Sequence, residues 1–232
     1  MLWDIDRTLL YVGDVDQQIY RDIFAELVGR PAAVLPERGT GITTPVVMQH
    51  FFDDNGIPRE DIPCYSRNAL ALLPQRLAER RGDLAKDGMI MPGAVKALEA
   101  VRAYNGTVQS VVSGNLRSSA LIKLAAFKLE RYLDVDIGGF ACDDDYRPNL
   151  VAIAQSRAAQ RYDSVFTRTN TVIIGDSCED VRTARLGGSS VIGVTSGTTT
   201  RQHLADAGAD IILEDLTDSD SLLSAIGVLA AG

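Results

Sequence analysis

Apolar positions follow two alternating patterns along most of the chain. Short, nearly continuous runs rich in β-branched residues recur: TVQSVVS at 107–113, VDIGGFA at 135–141, TVIIGD at 171–176, SVIGVT at 190–195 and ADIILED at 209–215. Such runs suit strands buried on both faces, as in a parallel sheet. Between them, apolar residues recur at helical spacing. Val95, Leu98 and Val101 share one face before the first run, and Leu121, Leu124, Ala125 and Lys128 follow it, with Lys128 at the helix rim. Residues 152–160 and 180–186 fill the next two gaps. The alternation predicts βαβ units and an α/β fold, with a doubly wound, mostly parallel, Rossmann-like sheet.

Residues 13–91 break the pattern and contain no convincing strand. Ile19, Ile23 and Leu27 are spaced four apart, Val47, Phe51 and Phe52 form a second apolar face, and Leu70, Leu73 and Leu77 a third. This predicts an all-helical module inserted in the sheet domain. The α/β pattern restarts at MPGAVKALEA, with Pro92 near the first helical turn, where proline is tolerated. The expected division is an α/β core of 1–12 and 92–232, with a helical cap of 13–91.

Composition narrows the functional classes. The 232 residues are 46% hydrophobic and 23% charged, which suits a soluble domain with a substantial core. A net charge of −8 argues against nucleic acid or an anionic membrane as partner, though not against a small anionic substrate met by local cations or a metal. No apolar run is long enough to cross a bilayer, and no signal peptide is evident. Cys64, Cys142 and Cys178 have no zinc spacing, and the expectation is a reducing, cytoplasmic compartment. Nothing in the sequence bears on oligomeric state.

The chemistry concentrates at strand ends, where open α/β sheets bind their ligands. DIDRTLL places Asp4 and Asp6 one residue apart, on one face if a strand runs through both. VVSGN ends its run in Ser113, Gly114 and Asn115, a hydroxyl and amides able to hold an anion. VIIGDSCED ends in Asp176, with Asp180 one helical turn later. Carboxylates gathered in this way need a counter-ion, and hard oxygen ligands select Mg2+.

These motifs resemble the haloacid dehalogenase-like (HAD) superfamily, in the phosphoglycolate-phosphatase-like branch whose helical cap follows the first motif. Asp4-x-Asp6-x-Thr8 matches the first motif, Ser113-Gly-Asn the second and Gly175-Asp176-Ser177-x-x-Asp180 the fourth. The third motif needs a basic residue, usually lysine, and Arg147-Pro148 stands at its place. The resemblance implies a Mg2+-dependent phosphatase of a small phosphorylated metabolite. In it, Asp4 is the nucleophile that becomes an aspartyl-phosphate, and Asp6 is the acid and then the base. It also implies that Ser113 holds phosphoryl oxygens, that Arg147 balances charge, and that Thr8, Gly114 and Asn115 bind substrate. The implied metal ligands are Asp4, Asp6 through its backbone carbonyl, Asp176 and Asp180. An acid at position 6 favours phosphoester chemistry over dehalogenation. A phosphosugar mutase of the β-phosphoglucomutase type and a non-catalytic HAD-fold binding protein are the alternatives.

Other polar features are read more plainly. His50 and His203 have no nucleophile in a recognisable pattern, and CDDDY at 142–146 reads as a solvated acidic loop. The glycines of GTGIT at 39–43 suggest a mobile cap loop, which makes Arg38, Thr40 and Thr43 candidate substrate contacts. Two features depart from the resembled family. Arg7 stands where glycine is usual and is expected at the cap interface or near a leaving group. Only three residues precede Asp4, which suggests a longer native N-terminus.

Overall fold

The computed structural model describes residues 1–104 and 106–230. The chain opens with β1 (Leu2–Trp3) and β2 (Leu10–Tyr11), followed by α1 (Val15–Val28), α2 (Thr44–Asp54), α3 (Ile62–Glu79) and α4 (Arg81–Asp87). After β3 (Met89–Ile90) come α5 (Ala94–Ala103), β4 (Ser110–Ser113), α6 (Arg117–Ala126), β5 (Gly139–Phe140) and α7 (Asn149–Tyr162). The last part is β6 (Val172–Gly175), α8 (Cys178–Gly187), β7 (Ser190–Val194), α9 (Arg201–Ala207), β8 (Ile211–Leu213) and α10 (Ser219–Ala230).

Six strands form one sheet in the order β5-β4-β1-β6-β7-β8, and every neighbouring pair is parallel. Counted along the chain, these are the third, second, first, fourth, fifth and sixth strands. The winding therefore reverses at the β1–β6 junction, which opens a crevice at the carboxyl ends of those two strands. Alternation divides the sheet's apolar residues between two layers. Trp3, Val111, Ile174 and Ile192 face α5, α6 and α10, while Leu2, Val112, Ile173 and Val191 face α7, α8 and α9. Trp3 is fully buried, and its indole N–H donates to Gln109 Oε1 at 3.1 Å, so its one polar atom is satisfied.

Several local expectations need correction. Paired strand is shorter than the apolar runs: residues 107–109 lie outside β4, and 135–137 form a 3-10 turn before β5. A strand does occur within 13–91. β3 pairs antiparallel with β2, but it is two residues long and half of Met89 is exposed, so it carries no apolar run to read. Helix α6 stops at Ala126, and Lys128 lies beyond it in left-handed backbone. The buried row of α6 is Ser119, Ala120, Lys123 and Leu124. Pro92 sits just outside α5, before the left-handed cap residue Gly93.

Helices α1 to α4 lie between β2 and β3, and α1, α2 and α3 share an aromatic centre. Phe24 lies 5.2 Å from Phe51 and 5.6 Å from Phe52, ring centre to ring centre, and Tyr65 flanks Phe52 at 5.5 Å. Buried Asn55 ties the α1–α2 connection down. Its amide donates to the carbonyls of Val34 and Phe51, and its oxygen accepts from the N–H groups of Ala33 and Val34. Helices α3 and α4 pack on α6, which brings the helical segment over the carboxyl edge of the sheet.

Candidate active site

Each residue of the site follows from where its strand ends. The Asp4 N–H still pairs with Ile174 O at 2.9 Å, so the first carboxylate leaves from the last rung of the sheet. The chain then turns sharply. Arg7 has φ 66°, its N–H donates to Leu10 O, and its carbonyl accepts from Ser196 Oγ. Asp4 and Asp6 therefore do not share a strand face, because the strand ends before the second acid.

Asp4 joins Asp176, which follows β6, and Asp180 in the first turn of α8. Carboxylate oxygens of these three buried residues lie within 4.8 Å of one another. Asp180 is fixed by a capping box: its Oδ2 accepts from Ser177 N (2.9 Å) and Oγ (2.6 Å), and Ser177 Oγ accepts from Asp180 N. Arg147, immediately before the proline that caps α7, enters from the other side. Its Nη2 donates to Asp4 Oδ1 at 2.7 Å and to Asp180 Oδ1 at 2.6 Å, and its Nη1 donates to Gly41 O at 2.6 Å.

One guanidinium does not offset three buried carboxylates. Burial and Asp180 push the Asp4 carboxyl well above the usual range, although Arg147 opposes them. Burial and Asp180 raise Asp176 to about 7, against the pull of the Thr8 hydrogen bond. Arg147 itself is held above its ordinary value: burial works against the charge, but Asp180 and Asp4 outweigh it. Three close hard oxygen donors with excess negative charge form a set that fits a divalent cation such as Mg2+.

Asp6 occupies different surroundings. Its Oδ2 accepts from Asn115 Nδ2 at 2.7 Å, and both its oxygens accept from Lys123 Nζ, at 3.0 and 3.2 Å. Ser113 Oγ accepts from Asn115 N and Nδ2. Asp4, Asp6, Ser113, Gly114 and Asn115 all border one cavity of about 140 Å³. Thr8 does not line it. Its buried hydroxyl donates to Asp176 Oδ1 at 3.1 Å, so it orients a carboxylate instead of touching a ligand.

The segment around Gly41 forms one wall of the cavity. Thr44 N and Oγ1 both donate to Gly114 O, at 2.7 and 2.8 Å. Gly41 has φ 70°, and a Cβ there would lie 2.6 Å from Ser177 Oγ, so the backbone can approach the acidic centre only without a side chain. Arg38 and Thr40 face the cavity, whereas Thr43 is buried and donates to Asp145 O. Arg7 also lines the cavity, with its guanidinium 4.6 Å above the Tyr11 ring. In the acidic loop, Asp143 pairs with Arg157 and Asp144 with Asn149, and neither enters the site.

Residues 148–219 match the model of a family described as HAD-hydrolase-like. Solved structures share the whole architecture. A hydrolase from Pseudomonas syringae aligns over 97% of both chains with a TM-score of 0.68 at 21% identity. A predicted phosphatase from Clostridium acetobutylicum aligns over 96% of this chain and 97% of its own, with a TM-score of 0.70 at 17% identity. Over residues 148–219 the chain is similar to the HAD-like hydrolases, and over nearly its whole length it shares the fold of these solved structures. Among curated proteins, the chain is 26% identical over 132 residues to the "Probable phosphatase IndB" of Dickeya dadantii (strain 3937). That match spans 56% of this chain and about half, 54%, of the relative.

The residue that the sequence reading missed is Lys123, which is 2% exposed and bonded to Asp6. Its signal was a lysine at the spacing of Ala120 and Leu124, inside an apolar stripe. Among the described residues, no helix is long and apolar enough to cross a membrane.

Proposed function

We propose that the protein is a Mg2+-dependent phosphatase acting on a small phosphorylated metabolite. The carrying observation is the separate placement of two acids: Asp4 lies in the carboxylate cluster, and Asp6 stands apart on the same cavity. Arg147 engages Asp4 Oδ1, and among the described residues no protein group donates to Oδ2. That oxygen is the one available to attack phosphorus. As it attacks, the bond to the leaving oxygen breaks with its electron pair, and Asp6 supplies the proton that oxygen takes up. Water then attacks the phosphorus of the Asp4 acyl phosphate and gives its proton to Asp6. The bond to Asp4 breaks, releasing inorganic phosphate and restoring both acids. Ser113 and the amides of Gly114 and Asn115 hold the phosphoryl oxygens.

Asp4, Asp176, Asp180 and the Asp6 carbonyl would hold the metal, with Thr8 orienting Asp176. When bound, Mg2+ offsets the carboxylate charge and stabilises the negative charge of the phosphoryl group. The 140 Å³ cavity favours a small substrate. We also place the protein in the cytoplasm, a location supported by three exposed, unpaired cysteines.

The test is phosphate release from a panel of small phosphate esters with Mg2+, with chelator, and in Asp4→Asn. The expected result is release that disappears with chelator and in the variant. Interconversion of phosphosugar isomers without phosphate release would replace this reading with a mutase. Binding of phosphorylated ligands without any turnover would replace it with a binding protein.

A further inference from the structure

Lys123 belongs to none of the four motifs, yet it touches one of the two proposed catalytic acids. It projects from α6 and is almost wholly buried. Its ammonium has three hydrogens, and the structure supplies three acceptors: Asp6 Oδ1 at 3.0 Å, Asp6 Oδ2 at 3.2 Å and Asp16 Oδ2 at 2.7 Å. Asp16 stands in the first turn of α1, at the beginning of the helical segment. One side chain therefore joins the sheet domain, the loop after β1 and the helices that cover the cavity.

We propose that Lys123 is a positioning residue that sets the Asp6 carboxylate against the cavity and couples its orientation to the placement of α1. This rests on the phosphatase reading. The physical case is the alternative arrangement. Without the ammonium, Asp6 and Asp16 become two neighbouring carboxylates with nothing between them, and repulsion turns the more exposed one away. Asp6 is the more exposed, its side chain 39% accessible against 24% for Asp16. Asn115 alone would then hold it, by a single bond to Oδ2. The bond to Asp16 in turn anchors α1, because a buried ammonium that loses one of two carboxylate partners is poorly compensated. Lys123 reaches both oxygens of Asp6, so either can turn to a leaving group or a water while the other stays held.

Misplacement of a catalytic group by about 1 Å costs on the order of 100-fold in rate. Lys123→Met is therefore expected to lower kcat by about 10- to 100-fold, with KM changed less than about threefold, because the phosphate ligands are untouched. Lys123→Arg, which keeps the charge and the reach, should recover most of the loss. The decisive comparison is a double-mutant cycle. If Lys123 acts through Asp6, then Lys123→Met in an Asp6→Asn background lowers kcat no further. A purely structural lysine would give multiplied losses, and that outcome overturns the proposal. Asp16→Asn carries the same test with a smaller perturbation, should Lys123→Met fold poorly by circular dichroism. It should lower kcat several-fold, and unchanged kcat overturns the coupling. If the wild-type protein releases no phosphate from any ester, the phosphatase reading fails and takes this proposal with it. If the wild type is active and the losses multiply, only this proposal fails.

Discussion

Asp176→Asn offers a test of the acidic centre that requires no knowledge of the substrate. The sign follows from where the carboxyl ionises. In the unfolded chain it loses its proton near 3.8, but in the folded chain only at about 7. Between those values the native state binds more protons, so folding stability falls as pH rises. The slope is about 1.4 kcal/mol per pH unit and the full penalty about 4 kcal/mol above pH 7, an order-of-magnitude figure. Asparagine removes that penalty and keeps an oxygen to accept from Thr8. In the presence of chelator, Asp176→Asn should match the wild type at pH 4 and exceed its stability by about 2–4 kcal/mol at pH 8. Urea unfolding at each pH measures this. With Mg2+ the order should invert. A ligand at about 1,000 times its Kd stabilises by about 4.1 kcal/mol, which exceeds that gap, and only the wild type retains the full set of carboxylates. A variant less stable than wild type at pH 8 with chelator, or equal to it at every pH, would refute the picture of excess buried charge.

Three further substitutions probe separate parts of the site. Arg147→Met should destabilise the chelator-treated protein by about 3–5 kcal/mol in urea unfolding, because Asp4 and Asp180 lose their buried counter-charge. Gly197→Ala should weaken Mg2+ binding at least tenfold by calorimetric titration, since its Cβ would lie 1.7 Å from Asp176 Oδ2 and displace that carboxylate. At position 7, both glycine and alanine lose the contact with Tyr11, but only glycine relaxes the left-handed backbone. Arg7→Gly should therefore exceed Arg7→Ala in stability by about 1 kcal/mol, and equal stabilities would mean that the turn carries no strain.

The sheet was legible because most of its strands are buried on both faces and so appear as unbroken apolar runs. Their lengths were over-read because only two to five residues of each run pair with a neighbour. β1 has two residues and no such signal; its place was marked by the chemistry that follows it. Asp4, Asp176, Asp180 and Arg147, read at strand and helix ends, are brought together by the fold. Thr8 was misread because sequence adjacency to two acids does not say which way a hydroxyl turns. Lys123 was missed for an energetic reason. A lysine on an apolar face ordinarily lies at the rim, and extending α6 to Lys128 supplied a rim lysine that the helix does not reach. Only the tertiary fold, which brings Asp6 and Asp16 to meet it, makes burial of that charge affordable.

The turn at Arg7 also explains how two acids so close in sequence acquire different chemistry. A strand continuing through Asp6 would point both carboxylates into the same crevice, where burial and Asp180 already push Asp4 upward. A second acid there would add to that repulsion. Instead the strand ends at Trp3, Asp4 keeps one sheet hydrogen bond, and a left-handed residue at position 7 folds the backbone back toward Leu10. Asp4 stays with Arg147 and two further carboxylates, while Asp6 is carried to Lys123 and Asn115. In the proposed reaction the nucleophile needs a desolvated setting, and the acid–base group needs exchangeable protons and access to water. Ending the strand early supplies both within three residues. Arginine at position 7 carries a backbone penalty that glycine would avoid, while its side chain lines the same cavity as both acids. Strain held at such a position is the pattern expected of a residue kept for what its side chain does.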